Sequence, residues 1–378
     1  MSDNVQAELE EELPPVQIKQ WISIPGGSIA LRSGAGVLSN FGTELRTAVG
    51  RPLRCAFMVS NQTDEDLAEL LRRDLTTIGF LVTRIDVEDD EAATTITAEA
   101  QVFSSFAEMQ LTADDLVVAV GHSGVISLAN HVANAWCGGV SLATVPLDLA
   151  AVIVSSITPR ALDTDADHQR LVTTKPCARF CFADLETMDL CDDNAKVAQV
   201  CMVATAMSDN EAEFGRIWDR ADNLSSGVAD IVAEQLAEST KTRGRLSDSS
   251  AIAIQQSVPY GWVFVEALRP LIPADQPLSA LYADALRFSA RIAVAKESLS
   301  FDDMLAQDEI LERLNIGFVT CDITSEQLIE ALKQECFRST NRFMLPIPMS
   351  IGRVRLASVD EELLAEHARA WCEAHASH

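Results

Sequence analysis

Residues 114–160 read DDLVVAVGHSGVISLANHVANAWCGGVSLATVPLDLAAVIVSSITPR, and this stretch decides the fold. Residues 116–120 form a short Val-rich run ending on Gly121, and apolar residues return at helical spacing over 125–135. Strand, tight turn and helix in that order bring the first N–H groups of the helix to the turn, where α/β proteins hold phosphates. A second buried strand is expected at 140–145. Gly121, His122 and Ser123 are therefore the candidate cofactor-binding turn, with Asn61, Asp148, Ser155, Ser156, Arg160 and Lys241 as candidate ligands for a small anion.

The alternation continues outward from this unit. Strands are expected at 17–24 and 28–31, a helix at 36–48, a strand at 53–59, a helix capped by Thr63 and running to 77, and strands at 80–85 and 178–183. Strand and helix alternating at this interval build a parallel sheet covered by helices. Beyond residue 184 the texture changes to long helical periods at 196–206, 211–240, 262–271, 278–299, 301–314 and 325–335, with 240–250 the most loop-like stretch. The expected fold is α/β: an acidic leader over 1–16, a Rossmann-like parallel-sheet domain over 17–185 and an all-α domain over 186–378.

Composition narrows the function. A chain of 378 residues with 48% hydrophobic content can bury two sizeable cores. Its net charge of −27 repels polyanions at long range, which argues against nucleic acid and anionic membranes as partners. The acidic start lacks the apolar core of a signal peptide, and no apolar run reaches the roughly 20 residues that span a bilayer, so a cytoplasmic location is expected. The nine cysteines contain no CxxC pair, Cys177 and Cys181 being closest, and read as buried thiols rather than a zinc or disulfide site. His122 and Ser123 are neighbours on one turn, a poor geometry for a nucleophile and its base, and no GxSxG elbow occurs.

The central stretch resembles dehydroquinate synthase, an NAD- and metal-dependent carbon–oxygen lyase of the shikimate pathway. That family has a strand ending in GGG, an Asp six residues after the first Gly, an RG pair, then PTT and DSSxGGKT. Here Gly121 keeps the first glycine, His122 and Ser123 replace the other two, and Ser127 stands for the Asp. Gly138 and Gly139 stand for the RG pair, Pro146 keeps the proline of PTT with Leu147 and Asp148 after it, and residues 154–160 stand for DSSxGGK. The spacing holds without a gap, while the glycine and charged residues are lost. A β-carbon at His122 or Ser123 crowds the approach of a pyrophosphate to the turn, so NAD is expected to bind weakly or not at all.

The resemblance also implies a metal in the helical half, held by a Glu in GxAEVIK, a His in LNxGHTFGHAIE and a His in LHGEAV. The matching positions are Gln199, Trp262 and Ser279. Gln is a weak neutral ligand, Trp offers only an N–H, and Ser is a poor zinc ligand, so no metal is expected. No histidine occurs between 169 and 366 to take their place. Met202, Gln255 and Pro259 replace a Lys, an Arg and an Asn of the family, while Lys241, Asp248 and Arg342 match it and equally fit solvated surface charge.

The reading is of a dehydroquinate synthase-like pseudoenzyme with a binding or regulatory role, no catalytic residues, and a small anionic ligand between its domains. A rebuilt but active sugar-phosphate cyclase is the alternative, and a structural partner of an active paralogue is a third reading. The family also implies a homodimer joined through the N-terminal domain, with Trp136, Cys137 and Val140 flanking Gly138 at the contact.

Overall fold

The structure is a computed structural model that describes residues 15–49, 54–88 and 93–376. Most of the acidic leader and Leu53, the expected start of a strand, lie outside the described residues. Seven strands form one sheet in the order β1-β2-β7-β6-β5-β3-β4. They are β1 Gln17–Ile24, β2 Gly27–Gly34, β3 Arg54–Ser60, β4 Leu81–Val87, β5 Leu116–Gly121, β6 Ser141–Pro146 and β7 Phe180–Asp184. Only the β1–β2 hairpin is antiparallel; the remaining neighbours are parallel. The expected α/β class and the helical region after it are what the chain forms.

Strand periodicity divides the central strands between two layers. Leu116, Val118 and Val120 of β5 join Cys55, Phe57, Val59 and Phe182 beneath helices α1 Phe41–Val49 and α2 Glu65–Thr77. Val117 and Ala119, with Ala56, Met58 and Leu142, face the opposite layer of α3 Ile96–Glu108 and α4 Ser123–Ala135. Asp115 seats the start of β5 by accepting from the backbone N–H groups of Arg54 and Thr112. Helix α2 is capped by Asp64, whose side chain accepts from Asp66 and Leu67, and not by Thr63.

The helical half contains α5 Asp193–Asp209, α6 Glu211–Ser225, α7 Ala229–Ser247, α8 Ile252–Gln255, α9 Trp262–Leu268, α10 Leu278–Ala295, α11 Phe301–Arg313, α12 Ser325–Ser339 and α13 Glu361–His375. Helices α5 and α10 are buried on nearly every side and form its centre. The period expected over 211–240 is cut in two at Gly227, which takes a φ of +67° tight against Leu190 and Cys191. The stretch read as loop at 240–250 is helical as far as Ser247.

Gly244 explains why this polar, Gly-containing segment is a helix. A β-carbon there would lie 2.3 Å from the Ser23 carbonyl oxygen and 2.5 Å from Ile22, so the missing side chain lets α7 rest directly on β1. The second half is also not purely helical, because Leu345–Ser350 and Arg353–Ala357 pair as an antiparallel hairpin, β8 and β9.

Candidate functional site

The parallel sheet creates its own crevice. The chain passes from β3 out to β4 and returns on the other side of β3 as β5, so the carboxyl ends of β3 and β5 form a topological switch point. Asn61 follows β3, exposed, with its backbone N–H bound to Val87. Gly121 ends β5 level with Pro146 of β6, and His122 begins the turn into α4. Gly121 is required sterically: a β-carbon would sit 2.8 Å from the Val125 β-carbon one helical turn on.

His122 takes an ordinary extended conformation, φ −85° and ψ −169°, and its ring reaches across to the end of β6. Its Nδ1 lies 2.7 Å from Oδ2 of Asp148, a residue only 4% exposed. The other carboxylate oxygen accepts from the Ala151 backbone N–H at 2.6 Å, at the start of the π-helical turn Ala151–Ser155. A carboxylate at Nδ1 selects the tautomer that carries its hydrogen there and leaves Nε2 as the acceptor nitrogen. Held this way, His122 can accept a proton or a hydrogen bond beside the N-terminus of a 13-residue helix.

Ser155 and Ser156 are buried, and the Ser156 hydroxyl donates back to the Ala151 carbonyl beside the Cys181 thiol. Arg160 is exposed, its backbone N–H bound to the Ser127 hydroxyl, which itself donates to Ser123. Lys241 is exposed on α7. Two surface depressions, of about 450 and 500 Å³, lie away from these residues: one includes Lys333, Phe337 and Arg338, the other Lys296, Leu363 and Glu366. Trp136, expected at a dimer surface, turns inward to pack on Phe103 and Phe106 and donates to the Leu111 carbonyl.

Known proteins resemble this chain at low identity over most of its length. The model of the 3-dehydroquinate synthase N-terminal region matches residues 84–195, which contain the whole β5–turn–α4 unit. Over this region the chain is similar to dehydroquinate synthases. A 3-dehydroquinate synthase of Pseudarthrobacter chlorophenolicus is 23% identical over 292 residues, 75% of this chain and 78% of that protein. One from Prochlorococcus marinus is 20% identical over 333 residues, 85% and 89% of the two chains. Among solved structures, 2-deoxy-scyllo-inosose synthase complexed with carbaglucose-6-phosphate, NAD+ and Co2+ superposes with a TM-score of 0.80 at 13% identity, covering 93% of this chain and all of that one. The 2-epi-5-epi-valiolone synthase of Streptomyces hygroscopicus, with NAD+ and Zn2+ bound, gives 0.77 at 13% identity, covering 95% of this chain and 99% of that one. At these identities the superpositions establish the fold.

The positions that the sequence resemblance matched to metal ligands lie on three different helices. Gln199, on α5, donates its amide to the Leu224 carbonyl at the end of α6. Ser279, on the first turn of α10, donates to Asp193 at 2.5 Å. Trp262 begins α9 and its ring packs at a tilt of 35° on Tyr282 with centroids 4.8 Å apart. Each side chain is engaged with a different neighbour. Among the described residues, no group of three His, Cys, Asp or Glu side chains is arranged to hold a metal ion.

Two features were not anticipated from sequence. Arg170, in the irregular segment between the π-helical turn and β7, pairs with Glu266 of α9 at 3.2 Å and Glu335 of α12 at 2.7 Å, tying that segment to the helical half. Arg243, in the stretch read as loop, is instead 2% exposed inside α7. Neither arginine belongs to a motif, and only the fold reveals what surrounds it.

Proposed function

We propose that this dehydroquinate synthase-like chain binds a small anionic ligand at the carboxyl edge of its sheet and does not carry out metal-dependent cyclisation. The observation behind this reading is the character of Gln199, Trp262 and Ser279: the Gln199 amide N–H donates to Leu224, the Trp262 ring packs on Tyr282 and the Ser279 hydroxyl donates to Asp193. An amide already donating to a carbonyl, an indole and a serine hydroxyl bound to a carboxylate make a donor set that does not fit a divalent ion. The family's glycine cradle for NAD is equally altered: His122 is bonded to Asp148, and the Ser123 carbonyl takes the Ser127 hydroxyl. The first N–H groups of α4 would receive the anion.

Elemental analysis and calorimetry with NAD, followed by an assay for 3-dehydroquinate formation with zinc, cobalt and NAD added, test this reading. The expected results are no stoichiometric metal, no tight NAD binding and no turnover. Stoichiometric metal that is lost on Gln199→Ala or Ser279→Ala, accompanied by turnover, would overturn it. The second reading, a sugar-phosphate cyclase with a rebuilt site, draws support from the His122–Asp148 pair, which has the form of an oriented general base. It requires activity that disappears in His122→Ala.

A further inference from the structure

Among the described residues Arg243 has no ion-pair partner. Its guanidinium donates from Nη1 to the Val258 carbonyl at 3.1 Å and from Nη2 to the Thr158 hydroxyl at 3.3 Å, while Nε has no partner. Among the described residues no carboxylate lies within ion-pair distance of it. Arginine keeps its proton throughout the accessible pH range, so it cannot neutralise itself as a buried lysine can. An uncompensated ion held inside a protein is strongly destabilising.

The neighbouring groups repeat the imbalance. The Tyr282 hydroxyl is fully buried with no oxygen or nitrogen acceptor and only the Cys201 thiol as a hydrogen-bond neighbour, and the indole N–H of Trp262, whose ring packs at a tilt on Tyr282, has no acceptor either. Cys201 lies beside Tyr282 and within the field of Arg243, but burial raises the pKa of the thiol and raises that of the phenol well above its ordinary value. Both therefore remain neutral and supply no negative charge. An unmatched acceptor does exist on α5, the Gln199 Oε1, but that amide is directed at α6. Gln199 and Cys201 are two positions apart on a helix, about 200° around its axis, so they face different neighbours.

A buried cluster with a fixed positive charge, surplus donors and no acceptor is complementary to an anion. We propose that a halide-sized monovalent anion sits between Arg243 Nε and the Tyr282 hydroxyl, and that it serves as the internal counter-ion where α7, α9 and α10 meet the segment carrying Thr158. The near-complete burial of Arg243 and Tyr282 favours a single-atom anion over phosphate or a carboxylate ligand. This site is separate from the His122–Asp148 turn and does not depend on what that turn binds.

The test uses the full chain, dialysed into sodium isethionate and then titrated with chloride or bromide at constant ionic strength. The expected result is a saturable rise in melting temperature of about 3 °C or more, as follows when a ligand binds only the folded state. Tyr282→Phe should weaken the halide response, and Arg243→Met, which removes the charge while keeping the length, should abolish it. If Arg243→Met does not fold, crystals of the unaltered protein soaked in bromide should show an anomalous peak within hydrogen-bond distance of Arg243. Melting that is indifferent to halide, a response shared equally by Arg243→Met, or a site holding water without anomalous signal would each overturn the proposal.

Discussion

Asp148 holds His122 from behind. The carboxylate is buried, the imidazole is about a quarter exposed, and the 2.7 Å contact between them joins the end of β6 to the start of α4. Because Asp148 also accepts from Ala151, it fixes both the ring and the turn after β6.

The two partners should therefore respond differently to removal. Asp148→Ala leaves the buried Ala151 N–H unmatched, a loss of about 1–3 kcal/mol. His122→Ala removes a partly exposed ring and should cost clearly less. Chemical denaturation of the two variants measures the difference, and equal losses would show that Asp148 has no role beyond its histidine.

Gly121→Ala and Gly244→Ala should both destabilise, with Gly244 the more sensitive. At Gly121 the new methyl meets the Val125 side chain, and overpacking of that kind costs about 1–3 kcal/mol. At Gly244 it meets a backbone carbonyl, which cannot rotate aside, so α7 must move off β1. Thermal melting of the two variants checks the order.

Stability should fall as the medium is acidified through the ordinary histidine range, with His131 as one identifiable cause. Burial lowers the pKa of its imidazole, and the hydrogen bond to the Arg160 carbonyl opposes that shift only in part. The unfolded chain then takes up a proton at a pH where the folded chain resists it. The contribution of His131 is complete above the unfolded value of about 6.5 and is lost as pH falls through the lower folded value. Melting temperature recorded against pH should have a shallower slope in His131→Gln than in the unaltered protein.

Homodimerisation through the N-terminal half is expected to use β1. This strand lies at the edge of the sheet and carries Trp21, 66% exposed, a combination that a solitary chain seldom leaves uncovered. Light scattering should give about twice the chain mass of 41.0 kDa, and Trp21→Lys should bring it down to a single chain. A monomer in the unaltered protein would remove this expectation.

The sheet was legible in the sequence because its strands are short, Val-rich and separated by helical periods, a pattern set by local chemistry. Residues 54–60, 81–87 and 116–121 could be found within a residue or two on that basis. The segment 240–250 was misread because its polar residues and Gly244 signal a loop, while the deciding fact is a strand more than two hundred residues earlier that needs a helix without a β-carbon. At the site, Gly121 and Asp148 could be selected from spacing. That His122 and Asp148 would meet could not, since their contact depends on β5 and β6 ending level. Ser155 and Ser156 looked like ligands because hydroxyls are, but the π-helical turn faces them into the core.

The close approach of α7 to β1 has a consequence for how such a chain can be dismantled or recombined. Ile22 and Ile24 are covered on the side where the helix lies, so a fragment ending near residue 185 would present a sticky, half-bare hairpin to solvent. The place where the sequence changes texture is thus no seam along which to cut. A graft of this sheet onto another helical half would have to bring its own glycine to the same point on β1.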